Sequence, residues 1–257
     1  MKFIPALFMT DMVHQIIEGR KTKTRRLKGL EVINSNPVDW QFEWGEPLNN
    51  IWTFTKICSL NQETLKNKDF IQEQIKCPYG VPGDILWVRE SYQLYNNNGG
   101  KQIYITASSE IEKFRTYAYE DLSPATLKKV RNYKTNKWIS KPSIFLFKDF
   151  CRLFLEIKSI KVEQLQKISE ADAKAEGAKD SLTVDDLKGM ESLNWIIPRP
   201  FLMHQFGFLA LWCKINGVKS WEANPWIWVI TFKKVDRPAD FITASNTNIY
   251  DNSTGIF

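Results

Sequence analysis

The spacing of apolar residues predicts a short helix near the start of the chain. Within DMVHQIIE, the apolar side chains recur at helical spacing on one face: Met12, Val13, Ile16 and Ile17. Thr10 or Asp11 precedes this face as an N-cap, and Gly19 follows it as a C-terminal stop. The helix therefore ends immediately before a run of basic residues.

Three later segments have the pattern of strands. Ile85–Val88 is an apolar run after a turn rich in Pro and Gly, and Leu153–Leu165 alternates between apolar and polar residues. The segment WIWVITFKKV, which ends at Val235, has the clearest strand pattern in the chain. Two more helices are predicted between the last two strands. One is ISEADAKAEGA, where Ser169 and Asp172 have capping-box spacing, and the other is FLMHQFGFLALWCKI.

The order of these elements predicts a mixed α+β fold built on a curved sheet or a small barrel, because strands and short helices follow each other without a regular β-α repeat. We expect a single domain over residues 1–235, with insertions near residues 30–75, 92–136 and 180–201. Residues 236–257 are polar and aperiodic, which predicts a flexible C-terminal tail. The chain has no GxGxxG, Walker A, HExxH or GxSxG motif.

Composition narrows the possible partners and surroundings. The formal net charge of +6 favours a polyanionic partner, because the Lys and Arg residues concentrate in two segments. Four widely spaced Cys and only two His predict free thiols in a reducing cytoplasm, with no metal and no cofactor. The sequence has neither a signal peptide pattern nor an apolar run long enough to cross a bilayer, so we expect a cytoplasmic protein without a membrane partner.

The first basic segment is GRKTKTRRLK, in which six of the nine residues from Arg20 to Lys28 are Lys or Arg. A solvated charged surface is the ordinary interpretation of such a run. Phosphate binding is favoured over it, because guanidinium groups match phosphate oxygens and two Thr hydroxyls lie nearby. The candidate phosphate contacts are Arg20, Lys23, Arg25 and Arg26.

Lys21 and Thr24 in the same segment have the residue types of a general base and a nucleophile. A neutral Lys amine can take the proton of a Thr hydroxyl, and positive neighbours favour that neutral form by lowering the Lys pKa. Their spacing brings the two side chains together on a helix and separates them on a strand, and the sequence leaves both alternatives open. A third candidate is Glu176, which precedes the Gly177 stop although a carboxylate is disfavoured at a helix C-terminus.

The second basic segment, Lys128–Lys141, contains six basic residues and no acidic one. Tyr133 and Trp138 interrupt it in the manner of surfaces that bind single-stranded nucleic acids. Its candidate nucleic-acid-binding residues are Lys128, Lys129, Arg131, Lys134, Lys137 and Trp138.

Five blocks in order along the chain resemble the ASCH domain, a family related to the PUA RNA-binding domains. They are GRKTKTRR, CPYGVPGDILWVRE, KPSIF, LQKISEADAKAEG and NPWIWVITFKKV. The chain is most similar to the larger ASCH proteins common in bacteriophage genomes, and the resemblance extends discontinuously over Phe3–Val235. It implies a PUA-like β-barrel with flanking helices, and a cleft lined by the GxKTxT segment and the later Glu.

The resemblance also implies an activity. Some small bacterial ASCH proteins are amidohydrolases that remove the acetyl group from acetylated cytidine. Carried over by motif, their base corresponds to Lys21, their nucleophile to Thr24 and their acidic residue to Glu176. The implied partner is RNA or a modified nucleoside, in the host cytoplasm if a phage encodes the chain. The sequence departs from the phage group after PSI, where an HMP-like sequence is usual and this chain has FLF.

Three alternatives to a hydrolase follow from the same residues. A non-catalytic RNA-binding module would use the two basic segments, and a purely structural protein would use neither. A ribonuclease would use the carboxylates of Asp84, Glu90 and Glu176, although Asp84 in a Pro-Gly-Asp turn is typical of a turn-shaping residue. Trp87 or Tyr92 is a candidate to lie near a bound base, or else in the core.

Overall fold

The computed structural model describes residues 1–57, 70–97, 102–107, 113–133, 136–183, 186, 188 and 203–241. The strands within these ranges are β1 Phe3–Leu7, β2 Lys23–Arg26, β3 Trp40–Glu46, β4 Ile51–Ile57, β5 Phe70–Ile75, β6 Ile85–Arg89, β7 Tyr92–Asn97, β8 Gln102–Ala107, β9 Arg115–Ala118, β10 Trp138–Lys141, β11 Phe154–Gln164 and β12 Trp226–Val235. The α-helices are α1 Thr10–Ile17, α2 Glu31–Asn34, α3 Pro124–Val130, α4 Glu170–Ala175, α5 Met203–Asn216 and α6 Val218–Glu222. This mixture confirms the α+β class.

The strands form three sheets. Their orders are β1-β6-β11-β12-β2, β10-β7-β8-β9 and β3-β4-β5. Among the described strands, none of these sheets closes into a barrel. In the five-stranded sheet no two neighbours are consecutive along the chain except β11 and β12, so most of its pairings join distant segments.

The strongest sequence patterns correspond to observed elements. The predicted first helix is α1, and the three predicted strands are β6, β11 and β12. The two later predicted helices are α4 and α5. Within two of the predicted insertions, however, the chain forms the sheet β3-β4-β5 and the strands β7, β8 and β9 of the sheet β10-β7-β8-β9, which the sequence patterns did not reveal; β10 follows the second of these insertions. These strands carry Gln, Asn and Thr next to aromatic residues, so their alternation is less distinct.

Two compact units make up the chain. Unit 1 comprises the described residues of Met1–Ile4, Asp11–Leu86 and Leu155–Lys234. Unit 2 comprises those of Pro5–Thr10, Trp87–Phe154 and Val235–Phe257. The single domain over residues 1–235 stays a prediction. Within the described ranges, no helix is both long and apolar enough to span a membrane.

The beginning of the predicted tail is packed inside unit 2. Phe241 is fully buried, and its ring lies 4.7 Å from that of Phe154 and 5.9 Å from that of Trp87, centroid to centroid. Residues 242–257 of the predicted tail lie outside the described residues, as does most of the predicted insertion at 180–201.

The core of unit 1 packs α5 and α6 against β12. Buried side chains from α5 include Phe208 and Trp212, and β12 contributes Ile227 and Val229. The N-terminus of α5 is capped from α4, because the Glu170 carboxylate accepts hydrogen bonds from the backbone N–H groups of the second and third residues of α5, at 3.0 and 2.9 Å. This packing fixes α4 and α5 beside the edge of the five-stranded sheet where β2 lies.

Candidate functional site

The first basic segment begins where α1 ends, and it lies against the C-terminal end of α4. Gly19 adopts a φ of 75° and stops the helix, and the Gln15 carbonyl then accepts the Lys21 backbone N–H at 3.0 Å. One residue later, the Thr22 N–H donates to the Ala175 carbonyl of α4 at 2.8 Å. The backbone therefore fixes Lys21 beside the last residues of α4.

Lys21 and Glu176 form a fully enclosed contact. The Lys21 Nζ donates to the Glu176 carboxylate Oε2 at 2.7 Å and to the Glu176 backbone carbonyl at 2.7 Å. The Lys21 side chain has no exposed surface, and that of Glu176 is 4% exposed. Burial lowers the pKa of Lys21, and the attraction of Glu176 opposes this shift without cancelling it. The structure thus brings together two of the three predicted catalytic residues, which are 155 positions apart.

Arg25 joins the same carboxylate from β2. Its Nη1 donates to Glu176 Oε1 at 3.1 Å, and its Nη2 donates to Glu163 at 2.6 Å and to Asp172 at 3.2 Å. The guanidinium also lies over the ring of Phe208, 5.5 Å from its centroid. Three carboxylates and an aromatic ring therefore surround one Arg that is 1% exposed.

Asp172 connects two more cations to this group. Lys23 donates to Asp172 Oδ1, and Lys161 lies 2.7 Å from Glu163 and 3.6 Å from Asp172. Burial raises the pKa of Asp172, but these cations and Arg25 outweigh it and hold the pKa below its usual value. The resulting ion-pair network consists of Lys21, Lys23, Arg25, Lys161, Glu163, Asp172 and Glu176.

The predicted capping box of α4 is half formed. The Ser169 Oγ accepts the Asp172 N–H at 3.1 Å, which confirms the N-cap. The Asp172 carboxylate binds Lys23 and Arg25 instead of returning to the Ser169 backbone. The side chain that the sequence assigned to a helix cap therefore belongs to the ion-pair network.

One donor inside the network lacks an acceptor. The Nε of Arg25 is buried, and no described residue accepts its hydrogen bond. An unsatisfied buried donor costs about 1–3 kcal/mol, so an acceptor supplied by a ligand or an ordered water would be stabilised at this position.

Thr24 occupies a different face of β2. The strand pairs with β12 in the register Thr24↔Ile230 and Arg25↔Val229. Because side chains alternate along a strand, Thr24 points to the face opposite Lys23 and Arg25. Thr24 is buried. Lys21 precedes β2, which begins at Lys23, so the helical alternative for the three-residue spacing does not apply. The hydrogen bonds described for Lys21 Nζ go to Glu176, not to Thr24.

The predicted phosphate contacts have unequal access to solvent. Arg20 is exposed and donates to Glu18 at 2.6 Å. Lys23 and Arg25 are occupied by carboxylates, and Arg26 is half-buried. An anion approaching this segment would meet Arg20 first.

The second basic segment lies on both sides of the sheet β10-β7-β8-β9. Lys128, Lys129 and Arg131 are exposed, and α3 packs through Val130 against the buried face of this sheet. Trp138 pairs with Tyr95 on the opposite face, and Lys137 beside it is exposed. Lys134 lies outside the described residues. The segment is therefore not one continuous surface.

The carboxylates considered for a nuclease each have partners of their own. Asp84 accepts the Val81 N–H at 3.1 Å and the Lys2 N–H at 2.7 Å, which confirms its role in the turn. Glu90 accepts two hydrogen bonds from Arg152, at 2.6 and 2.9 Å. In the part of the chain that the structure describes, no group of three His, Cys, Asp or Glu side chains is arranged to hold a metal ion.

Both aromatic residues considered for base contact are core residues of unit 2. Trp87 is 6% exposed and packs against Phe241. Tyr92 is 1% exposed, and its hydroxyl donates to the Phe145 carbonyl at 3.0 Å.

Sequence reasoning missed four members or neighbours of the site. They are Lys161, Glu163, Asp172 and Phe208. The signal for Asp172 was present, since it lies four residues before Glu176 and therefore on the same side of α4. Nothing local identifies the other three, because β11 and α5 reach the site through tertiary packing.

Comparison of the chain with protein families, with characterised proteins and with solved structures finds no match in any of the three.

Proposed function

We propose that this chain is an ASCH protein with a PUA-like unit 1, and that it binds RNA or a nucleoside and hydrolyses an amide on a modified nucleoside of the acetylcytidine type. The enclosed contact between Lys21 and Glu176 carries this proposal. Further support comes from where the resembling blocks lie. GRKTKTRR forms β2, SEADAKAEG forms α4, and NPWIWVITFKKV forms β12 beside β2.

The chemistry requires a neutral Lys21 amine and a protonated Glu176 acid. These two forms differ from the ammonium and carboxylate pair by one proton moved along the 2.7 Å hydrogen bond. Burial lowers the pKa of Lys21 and so favours the neutral amine that can act as a base. Arg25 also binds the Glu176 carboxylate, at 3.1 Å.

In the first half-reaction, the Lys21 amine takes the hydroxyl proton of Thr24, and the Thr24 oxygen attacks the amide carbonyl. The carbon–nitrogen bond then breaks, and Glu176 gives its proton to the leaving amine. The products are a Thr24 ester, a free amine and the ammonium–carboxylate pair. Thr24 points to the face of β2 opposite Lys23 and Arg25, so this step requires a rearrangement on substrate binding that brings the Thr24 hydroxyl within about 3 Å of Lys21 Nζ.

The second half-reaction restores the starting forms. Water attacks the ester carbonyl while the Glu176 carboxylate accepts a proton from that water. The Lys21 ammonium returns a proton to the departing Thr24 oxygen. Acetic acid leaves, and the pair is again an amine and an acid, so protons balance over the cycle.

Deacetylation of acetylcytidine by the full chain tests this function. We expect Thr24→Val and Lys21→Met to lower kcat/KM by roughly 10²-fold or more, because the first removes the attacking oxygen and the second removes the base that accepts its proton. Thr22→Val is the matched control, since Thr22 is an exposed hydroxyl in the same segment. Turnover that survives both substitutions, or that Thr22→Val abolishes equally, would contradict the mechanism.

A non-catalytic RNA-binding protein is the second candidate. It is favoured by the complete enclosure of Lys21, whose amine is already engaged by Glu176 twice. On this alternative the ion-pair network only stabilises unit 1, and RNA binds with a steep salt dependence and no product. Chromatography of RNA and of acetylcytidine after incubation separates the two candidates, and shortened RNA would instead indicate a ribonuclease.

A further inference from the structure

The sheet β10-β7-β8-β9 of unit 2 has one buried face and one open face. The buried face carries Leu94, Ile103 and Ile105, which pack beneath the sheet with Val130 of α3. Because side chains alternate, the neighbouring positions of the same strands project from the other side. That open face is the subject of the inference.

Four aromatic rings form a row across the open face. Trp138 of β10 pairs with Tyr95 of β7, and Tyr95 pairs with Tyr104 of β8. Phe114, just before β9, continues the row beside Tyr104. The centroids of successive rings are 5.4, 6.0 and 5.5 Å apart. Each end of the row is open to solvent, since Trp138 is 50% exposed and Phe114 is 58% exposed.

The side chains around the rings are polar and uncharged. They are Gln93 and Asn97 on β7, Gln102 on β8, Thr116 on β9 and Ser140 on β10. Amide and hydroxyl groups both donate and accept hydrogen bonds, as the edges of nucleobases do. Within the described strands, this face therefore offers ring surfaces and hydrogen bonds but no ionic contact of its own.

The charge of the chain is concentrated around this sheet. Residues 87–154 contain 12 Lys and Arg against 6 Asp and Glu, a formal excess of +6 that equals the net charge of all 257 residues. Lys137 and Lys113 are exposed and adjoin Trp138 and Phe114 in the chain, whereas Lys128 and Lys129 are exposed on α3, which packs against the buried face of the sheet. A ligand of this unit is therefore expected to be a polyanion.

We propose that the open face of β10-β7-β8-β9 binds single-stranded nucleic acid, with bases stacked on the row Trp138–Tyr95–Tyr104–Phe114 and phosphates neutralised by Lys137 and Lys113, which adjoin the two ends of the row. A neutral polysaccharide would stack on the rings, but it would make no use of the positive charge. A nucleic-acid duplex would bind the positive charge, but its bases are stacked on each other and cannot stack on the rings. Cross-strand aromatic pairs also stabilise a sheet, yet that role does not require both end rings to be half exposed.

This binding surface does not depend on the proposed catalysis. None of its residues belongs to the ion-pair network. The experiment that tests it measures the binding of an oligonucleotide, not the formation of a reaction product. Loss of deacetylation with intact binding, or the reverse, therefore distinguishes failure of one proposal from failure of the other.

The test is fluorescence anisotropy of the full chain with a labelled single-stranded oligouridylate of about twelve nucleotides, a length within the usual site size. We expect Trp138→Ala and Phe114→Ala each to weaken binding by roughly 5- to 100-fold, the range expected for losing one stacked base. Trp138→Phe keeps a ring and is expected to retain most of the affinity. Trp44→Ala is the matched control, because Trp44 is 43% exposed on β3 of unit 1.

The dependence on salt supplies a second readout. Trp138→Ala is expected to leave the slope of log K against log salt unchanged, because a ring displaces no counterions. The proposal is overturned if Trp138→Ala binds like the wild type, if Trp44→Ala weakens binding equally, or if a duplex of the same length binds as tightly. Binding of a neutral polysaccharide that Trp138→Ala abolishes would overturn it in favour of a carbohydrate site.

Discussion

Lys21 illustrates how far one residue can depart from its usual environment. An ammonium group is strongly hydrated in water, yet here the whole side chain is enclosed and its amine is held by a single residue, Glu176. Glu176 in turn is shared with Arg25, so removal of Lys21 does not leave the carboxylate unpaired. The cost of burying Lys21 is therefore expected to appear in the pH dependence of stability.

The pH dependence has a definite sign. Burial holds the pKa of Lys21 below its usual value of 10.5, so between these two values the unfolded chain binds more protons at Lys21 than the folded chain does. Lys21 therefore contributes more stability as the pH rises toward 10.5. We expect the unfolding free energy of the wild type, minus that of Lys21→Met, to increase from about pH 7 to about pH 10, by at most about 1.4 kcal/mol per pH unit. Urea denaturation at each pH measures it.

An exposed lysine supplies the comparison for this experiment. Lys214 lies on the surface of α5, and the difference between the wild type and Lys214→Met is expected to stay flat over the same pH range. A flat difference for Lys21→Met as well would show that the buried amine titrates as it does in water.

The catalytic candidates show what sequence contributes at the residue scale. Glu176 was identifiable as an unfavourably placed carboxylate, and its partner Lys21 as a residue in a basic run. Their contact was not identifiable from spacing, since 155 residues separate them. The sequence predicts that Arg25 binds phosphate. In the structure its guanidinium instead binds three carboxylates, one from β11 and two from α4 and its C-terminal end.

At the scale of elements, the ends of α1 and α4 depend on glycine in two different ways. Gly19 and Gly177 have nearly the same backbone conformation, with φ of 75° and 80°. A Cβ on Gly19 would meet nothing within 4 Å, whereas a Cβ on Gly177 would lie 1.7 Å from Oε1 of Gln15. The two positions thus separate the cost of a left-handed conformation from the cost of a steric clash.

We expect Gly19→Ala to lower the unfolding free energy by about 1–2 kcal/mol, the cost of a left-handed conformation for an L-residue. Gly177→Ala is expected to cost more, because the Gln15 side chain must also move. Urea denaturation measures both, and Gln15→Ala combined with Gly177→Ala is expected to return the cost to that of Gly19→Ala. Equal costs for the two single substitutions would contradict the predicted clash.

Helices and strands whose apolar residues recur at one regular spacing were predictable from the sequence. Strands that carry polar and aromatic side chains on their exposed face were not. β12 is buried over most of its length and α5 over its central residues, and both appear as long apolar segments. β7 and β8 have a buried face of ordinary strand residues, but their open face carries Gln, Asn and Tyr. This open face obscures the strand pattern, which is why the sequence predicts an insertion in this region.

At the scale of the whole molecule, charge and ion pairs are distributed unevenly. Outside residues 87–154 the numbers of cationic and anionic residues are equal. Many of those cations are engaged by carboxylates, as in the ion-pair network. The excess positive charge of residues 87–154 is therefore expected to dominate binding to polyanions.

Charge reversal in each unit tests this expectation. We expect Lys113→Glu combined with Lys137→Glu to lower the magnitude of the salt slope for single-stranded RNA by up to about 1.4, which corresponds to two lost phosphate contacts beside the aromatic row. Lys214→Glu combined with Lys219→Glu changes the net charge equally on the exposed surface of α5 and α6. Anisotropy titrations over a range of salt concentrations measure both, and equal slopes for the two variants would show that only net charge matters.

The position of β2 at the edge of its sheet affects how the chain is made. Its sheet neighbour among the described strands is β12, which begins 200 residues after β2 ends. Synthesis at about 5–20 residues per second delays this pairing by roughly 10–40 s. During that interval the backbone of the basic segment lacks its β12 partner, and until Glu176 is synthesised Lys21 also lacks its ion partner. A nascent chain that stalls before Trp226 is therefore expected to depend on chaperones, because no shorter product can complete this edge of the sheet.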